Sequence, residues 1–374
     1  MLLLTAFFSS LFLISLIIRY RRLHEHYSGD HDLSGPQKFH KESTPRIGGL
    51  GIYAGLWIAS LVTYFKEPSL GVFQSLILLA ALPVSVTGFL EDVTKQISIK
   101  FRLISGFISG GLLLYLFTIT TIQLDIWWLD SLFLNVWVTA IFLCVACAGM
   151  ANAYNIIDGF NGLASMVGII ATVAIASVAF KVGDLSVAFA ALVHIGAILG
   201  FFVWNYPRGM IFLGDGGAYL IGFVIAALSI LIVYRNPVVS PWFALLVNIY
   251  PIFETLFSIW RRSVLRNKNP ALPDRAHFHS LIYRRILHRT LEINKQLSNS
   301  NLLKHSYQIK INSKTSTYLW FLSGVGPIQA MLFWQNTFLL ISSAILFITA
   351  YLYGYQSILK RRRPWWLGTP PRSE

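Results

Sequence analysis

The chain has 374 residues and a formal net charge of +14, with 55% hydrophobic and only 12% charged residues and a mean hydropathy of +0.61. A soluble domain carries roughly twice that charged fraction. The composition therefore excludes a soluble enzyme, a disordered chain and a fibrous protein, and it indicates an all-α, polytopic membrane protein. Cys144 and Cys147 lie in an apolar run, which favours two buried thiols over a redox or zinc pair.

Eleven apolar stretches, taken in chain order, are long enough to span a bilayer. They cover residues 2–18, 47–65, 70–88, 103–120, 132–150, 162–180, 185–204, 212–233, 241–260, 316–333 and 337–356. The first stretch is followed by its arginines and by no small-residue cleavage site, so we interpret it as a retained helix and not as a signal peptide. We expect a single transmembrane domain over residues 1–374, with a cytoplasmic loop over 261–316.

The basic residues test this division into spans. When the connections alternate between two sides, all but three of the 30 Lys and Arg residues fall on one side, and the exceptions are Lys66, Lys181 and Arg235. Cytoplasmic loops are enriched in Lys and Arg. The sequence therefore predicts an N-terminus outside and a C-terminus in the cytoplasm, and the basic charge needs no nucleic-acid partner to explain it.

Acidic residues mark the predicted cytoplasmic ends of three spans. Glu91 and Asp92 end the third span, Asp158 follows the fifth, and Asp215 begins the eighth. A carboxylate at membrane depth is costly unless it is paired, hydrated or bound to a metal. Four of them on one face predict a site for a hard cation, and Mg²⁺ suits a site that shares its ion with substrate phosphates. For the Glu91–Asp92 pair alone, a solvated helix end is an equal alternative.

Basic residues and histidines on the same side could handle phosphate, because Arg binds it in a bidentate manner and His can donate to it. They are Lys100, Arg102, Arg261, Arg262, His277 and His279. A zinc pair is the alternative for the two histidines, but no cysteine or third nearby ligand supports it. Glu254 lies inside the ninth span, where a functional role and a structural pairing with an arginine both remain open.

A protein without chemistry, either a transporter or a flippase of a lipid-linked or anionic substrate, is the alternative class. A transporter is expected to place its acidic residues near the bilayer midplane. Here they gather at one face, which favours an enzyme.

Three motifs in order carry a resemblance to a known family. They are NAYNIIDGFNG at 152–162, FLGDGG at 212–217 and DRAHFH at 274–279. Together they resemble the polyprenyl-phosphate N-acetylhexosamine-1-phosphate transferase superfamily, and the last motif is similar to the branch that initiates O-antigen synthesis. The resemblance implies transfer of a sugar-1-phosphate from a UDP-N-acetylamino sugar to undecaprenyl phosphate, with release of UMP. It also implies the bacterial inner membrane, a cytoplasmic active site and Mg²⁺, with Mn²⁺ as an alternative, and it is compatible with a homodimer.

The resemblance also assigns roles. It implies Asp215 and Asn155 as metal ligands, and Asp92, Asp158 and Glu91 as catalytic residues. The residues implied in substrate binding are Asn152, Asn161, Lys100, Arg102, Arg275, His277 and His279. Two positions depart from the family pattern: Glu91 replaces the first Asp of an Asp-Asp pair, and Asn161 replaces the second Asp of a D-G-x-D-G pattern. Asn161 can therefore serve only as a hydrogen-bonding contact.

Overall fold

The structure, a computed structural model, describes residues 1–23, 29, 44–265, 276–293 and 301–360. Within these ranges the regular structure consists of fifteen α-helices and one π-helical turn, Arg261–Leu265. The helices are α1 (Leu2–Arg19), α2 (Gly48–Lys66), α3 (Pro68–Ala80), α4 (Leu82–Thr94), α5 (Ile99–Phe117), α6 (Trp127–Phe133), α7 (Val136–Ile157), α8 (Leu163–Val182), α9 (Leu185–Asn205), α10 (Gly214–Arg235), α11 (Pro241–Val247), α12 (Ile249–Trp260), α13 (Phe278–Ile293), α14 (Asn301–Phe333) and α15 (Thr337–Leu359).

The helices confirm the prediction of an all-α, polytopic membrane protein. Among the described residues, eight helices are long and apolar enough to cross a bilayer, and two bent pairs raise the number to ten. The remaining predicted span, 316–333, is the apolar half of the 33-residue helix α14. Both cysteines are free and buried, as the sequence predicts. The predicted cytoplasmic loop over 261–316 is described only in part.

Two spans are broken, and proline or asparagine accounts for each break. Helices α3 and α4 meet at 50°, where Pro83 near the start of α4 lacks a backbone N–H. The helix that begins at Ile249 is bent by 74° from α11. At this second break the side chain of Asn248 donates to the carbonyl of Ala244 and to the hydroxyl of Ser229, which satisfies polar groups freed by the bend.

Helix α10 is the most deeply buried of the spanning helices, and α2, α4, α7 and α8 pack around it. At its first turn three helices meet through glycines. Gly49 contacts the backbone of Gly217, and a Cβ placed on Gly88 would lie 2.5 Å from the Cα of Gly216. Only residues without a Cβ allow backbones to approach this closely.

The three basic residues that the sequence assigns to the side with few Lys and Arg lie at the end of the bundle opposite to this glycine contact. The Nζ atom of Lys66 lies 3.1 Å from the sulfur of Met1, and Lys181 donates to a backbone carbonyl near the end of α14. The Nε of Arg235 donates to Asp184 over 2.7 Å. Burial tends to raise the pKa of Asp184, but hydrogen bonds from Arg235 and a neighbouring asparagine hold it below its ordinary value. The first residue of the chain therefore shares an end of the bundle with Lys66.

The orientation in the membrane stays a prediction, and cysteine labelling tests it. Ser69, in the first turn of α3 at the Lys66 end, and Gln96, in the turn after α4, are both exposed. Because Cys144 and Cys147 are only 4% and 0% exposed, they contribute little background. In intact cells a membrane-impermeant maleimide should label Ser69→Cys, whereas Gln96→Cys should react only after permeabilisation. The opposite pattern would invert the topology.

Candidate active site

A buried carboxylate joins two of the predicted site motifs. Asp92, near the end of α4, is 3% exposed. Its Oδ1 accepts from the backbone N–H of Asp215 over 2.8 Å, and its Oδ2 accepts from that of Gly216 over 2.9 Å. The first N–H groups of a helix have no partner within the helix, and the helix dipole favours a negative charge there. Asp92 therefore fixes the main chain that carries Asp215.

The segment before α2 adds an arginine to this cluster. The backbone N–H of Phe212 donates to the carbonyl of Pro45 over 2.8 Å, and that of Gly48 donates to Phe212 over 3.0 Å. This pairing brings the guanidinium of Arg46 to 3.5 Å from Asp215 Oδ1. Gly214 has a φ of +76°, and a Cβ there would lie 2.5 Å from Asp92 Oδ2, so this turn requires glycine.

A second arginine reaches the same carboxylate from α5. Arg102 Nη1 donates to Asp215 Oδ2 over 2.9 Å and lies 3.9 Å from Glu91 Oε1. The other oxygen of Glu91 accepts from the backbone N–H of Ile97 over 2.7 Å, which closes the turn between α4 and α5. The Asp215 side chain is 14% exposed between the two guanidinium groups. It is thus held in place and still accessible.

The 152–162 motif contributes from the end of α7. Asp158 is half-buried, and burial raises its pKa, while the Arg46 guanidinium opposes that rise and the Asp215 carboxylate adds to it. Both charges therefore lie within electrostatic reach of Asp158. The side chains of Asn155 and Arg102 both interact with the hydroxyl of Tyr219. Since Tyr219 lies four residues after Asp215, one turn along α10, it links the two predicted metal ligands.

The two histidines lie against the turn that follows Asp158. The His277 and His279 rings are parallel, with centroids 5.2 Å apart and an interplanar angle of 8°. His279 is 1% exposed and meets Phe160 edge-on at 5.5 Å. A Cβ on Gly159 would lie 3.0 Å from His279 Nε2, so the ring faces the backbone of that turn.

Two of the predicted substrate-binding residues have their side-chain amides engaged elsewhere, and a third lies outside the described residues. The Asn152 amide donates to the carbonyl of Ala148 in its own helix over 2.8 Å. Asn161 is 4% exposed, and its side-chain amide donates to the carbonyl of Pro207 over 3.1 Å. It therefore joins the turn after α7 to the turn after α9. Arg275 lies outside the described residues. Their roles in substrate binding stay predictions.

Most of the other predicted residues gather at one end of the helix bundle. Asp92, Asp158, Asp215, Glu91, Asn155 and Arg102 belong to one cluster, with His277 and His279 beside the same turn. Lys100 is exposed on the first turn of α5. The structure thus brings three motifs that are far apart in the sequence to one end of the helix bundle.

The acidic residues of this site lie in a region that is similar to known proteins. Residues 74–233, which carry all four acidic residues of the cluster, match glycosyl transferase family 4. A Bacillus subtilis (strain 168) protein named probable undecaprenyl-phosphate N-acetylglucosaminyl 1-phosphate transferase is 30% identical over 261 residues, which are 66% of this chain and 68% of the relative.

Two further relatives extend the comparison. A Thermotoga maritima undecaprenyl-phosphate alpha-N-acetylglucosaminyl 1-phosphate transferase is 26% identical over 255 residues, covering 68% of this chain and 73% of that protein. A phospho-N-acetylmuramoyl-pentapeptide-transferase of Streptococcus equi subsp. zooepidemicus is 30% identical over 236 residues, covering 59% and 67%.

The chain belongs to glycosyl transferase family 4. It is therefore an enzyme, a phosphoglycosyltransferase, within the superfamily that the three motifs predict. The alternative of a transporter or flippase without chemistry is wrong.

Sequence reasoning missed two residues of the candidate site. Arg46 was not among the candidates, although it lies two residues before the glycines that begin α2. Tyr219 lies in an apolar helix, where a tyrosine carries no functional signal of its own. Its position four residues after Asp215 was the available clue.

Two further residues have partners that differ from the expected ones. Arg261 is 3% exposed, and its guanidinium donates to the carbonyl of Ala276 over 2.7 Å and to the Tyr355 hydroxyl over 2.6 Å. Arg261 thus anchors the segment over residues 276–279 that carries both histidines, called the histidine segment below. It does not face open solvent, as an arginine that binds a phosphate would. Glu254 bonds His277, not an arginine.

The donor set of the site suits Mg²⁺. Among the described residues no group of three or more His, Cys, Asp or Glu is arranged to hold a metal ion. Mg²⁺ is typically held by one or two carboxylates and takes its other ligands from water and phosphates. An accessible carboxylate, Asp215, linked through Tyr219 to the amide of Asn155 fits that requirement.

The glycine contact beneath the site predicts a local packing failure. A Cβ on Gly216 would collide with the ring and the backbone of Phe89, so Gly216→Ala should displace the start of α10. We expect a loss of about 1–3 kcal/mol of stability, seen as a lower melting temperature in detergent, together with loss of transferase activity. Gly149→Ala is the matched control, since a Cβ there meets nothing within 4 Å. Equal behaviour of the two variants would contradict the packing role.

Proposed function

We propose that this transferase moves an N-acetylhexosamine-1-phosphate from a UDP-sugar to undecaprenyl phosphate at the cytoplasmic face of the bacterial inner membrane, in an Mg²⁺-dependent reaction. The observation that carries the proposal is the cluster of Asp92, Asp158 and Asp215 with Arg46 and Arg102 at one end of the bundle. The names of the Bacillus and Thermotoga relatives support undecaprenyl phosphate as the acceptor.

The reaction is a phosphoryl transfer. An oxygen of the lipid phosphate attacks the β-phosphorus of the UDP-sugar and forms a new P–O bond. The bond from that phosphorus to the UMP oxygen breaks, and its electron pair leaves with UMP. A lipid phosphate is already largely ionised at neutral pH, so the demand for a general base is modest. Positioning and electrostatic stabilisation should supply most of the rate.

Five residues at this end of the bundle have a place in this scheme. Asp215 and Asn155 would hold Mg²⁺, which neutralises charge on the diphosphate when bound. Arg46 and Arg102 hold Asp215 and are the guanidinium groups best placed to meet phosphate oxygens. Asp158, between these charges and the histidine pair, would orient the donor.

The identity of the sugar and of the pathway belongs to the proposal. The two relatives named N-acetylglucosaminyl 1-phosphate transferases favour UDP-N-acetylglucosamine or a close isomer. The third relative acts on a muramoyl pentapeptide and represents the competing donor. The form of the 274–279 motif favours the first step of O-antigen or another lipopolysaccharide or cell-envelope glycan. Purified protein with Mg²⁺, undecaprenyl phosphate and a panel of UDP-sugars should release UMP with one N-acetylhexosamine donor.

Asp215→Asn is the direct test of the metal and phosphate site. The substitution keeps the backbone N–H that Asp92 binds, so the fold should persist in detergent. Loss of the charge should reduce UMP release by about 100-fold or more. Activity close to that of the unmodified protein would remove Asp215 from the site, and an unchanged melting temperature is the control for folding.

The two acids at the end of α4 should differ in importance. Asp92 is buried and accepts two N–H groups of α10, whereas the Glu91 side chain is 20% exposed and accepts one within its own turn. Asp92→Asn places an amide N–H₂ against a backbone donor, which costs about 1–3 kcal/mol. We expect UMP release and the melting temperature to fall much further in Asp92→Asn than in Glu91→Gln. The reverse order would mean that Glu91 has the larger role.

A further inference from the structure

A buried acid in α12 contacts the histidine segment. Glu254 is 0% exposed. Its Oε1 lies 3.0 Å from Nδ1 of His277 and accepts from the backbone N–H of Phe278 over 3.1 Å. Its Oε2 accepts from the hydroxyl of Tyr351, in α15, over 2.6 Å. Both carboxylate oxygens are therefore engaged, which a buried acid requires.

These contacts fix the His277 ring. An ionised carboxylate only accepts hydrogen bonds, so Nδ1 of His277 is the nitrogen that carries hydrogen towards it. A carboxylate that orients a histidine in this way also selects the ring nitrogen that remains for a ligand. In His277 that nitrogen is Nε2, on a ring that is 12% exposed.

The ring lies where a fixed orientation matters for the donor. His277 is stacked on His279, and His279 faces the backbone of Gly159, the residue after Asp158. The main chain just before His277 is held separately, because the carbonyl of Ala276 accepts from Arg261. The main chain at Ala276 thus has an anchor of its own, whereas Glu254 holds the His277 ring together with the N–H of Phe278.

We propose that Glu254 is a positioning residue, which holds Nδ1 of His277 so that Nε2 meets the diphosphate of the donor. This inference rests on the proposed function. It assigns a role to a carboxylate that lies within a membrane span and belongs to none of the three sequence motifs.

Steady-state kinetics of two variants tests the proposal. Glu254→Gln keeps an oxygen for the Phe278 N–H and removes the charge. We expect the KM for the UDP-sugar to rise about tenfold, while the KM for undecaprenyl phosphate stays within about twofold. His277→Ala should raise the donor KM further. If Glu254 acts through His277, the double variant should be no worse than His277→Ala alone, because residues that work as one unit are not additive.

Two tyrosines of α15 supply matched variants. Tyr355→Phe removes a hydroxyl that bonds Ala276 and Arg261 but leaves Glu254 and its partners intact. It should lower the melting temperature and leave the donor KM unchanged. Tyr351→Phe removes one partner of Glu254 and should raise the donor KM about two- to threefold. If Glu254→Gln does not fold, Tyr351→Phe takes its place in the double-variant comparison.

The outcomes separate this inference from the proposed function. Additive effects of Glu254→Gln and His277→Ala, or equal rises of both KM values, would overturn the positioning role while the transferase reaction stands. If the unmodified protein releases no UMP with any UDP-sugar, the proposed function fails. In that case hydrogen exchange decides the inference: faster exchange over residues 276–283 in Glu254→Gln supports it, and unchanged exchange overturns it.

Discussion

The contact between the Asp92 carboxylate and the first N–H groups of α10 is the interaction on which the site depends. It joins a span that ends at the cluster to one that begins there, across 123 positions of sequence. Because Asp92 binds the main chain of Asp215, the Asp215 side chain remains for Arg46, Arg102 and a ligand. The glycine contacts at Gly88 and Gly49 allow the helices to come close enough for this bond. Charge and backbone packing together therefore determine the position of Asp215.

The rest of the fold separates two ends. One end carries the acidic and basic cluster, and the other carries short turns closed by contacts such as Arg235 with Asp184. The bend before α12 turns that helix at membrane depth, and Glu254 in it meets the histidine segment. The candidate site is therefore packed against helix backbones, and the buried carboxylate of Glu254 holds the His277 ring beside it.

Much of the fold could be predicted from the sequence, because bilayer thickness fixes the length of each apolar stretch. Most predicted spans match helices to within a few residues, and the four acidic residues of the predicted site lie together at one end of the bundle. Contacts between distant residues were not predictable. Arg102 and Asp215 are 113 positions apart, and neither periodicity nor hydropathy pairs them. The contact of Glu254 with His277 was not predictable for the same reason, because the two residues lie 23 positions apart in different segments. The kink between α3 and α4 also escaped, although Pro83 marks it.

The glycine contact beneath Asp215 has a consequence for how such an enzyme can diversify. Where two helix backbones touch directly, no side chain lies between them. The arrangement of charges there therefore cannot be adjusted by exchanging one side chain for another. The histidine segment around His277 is held by hydrogen bonds to side chains, which can be exchanged one at a time. Selection for a new sugar can therefore act on that segment while the phosphate chemistry stays constant.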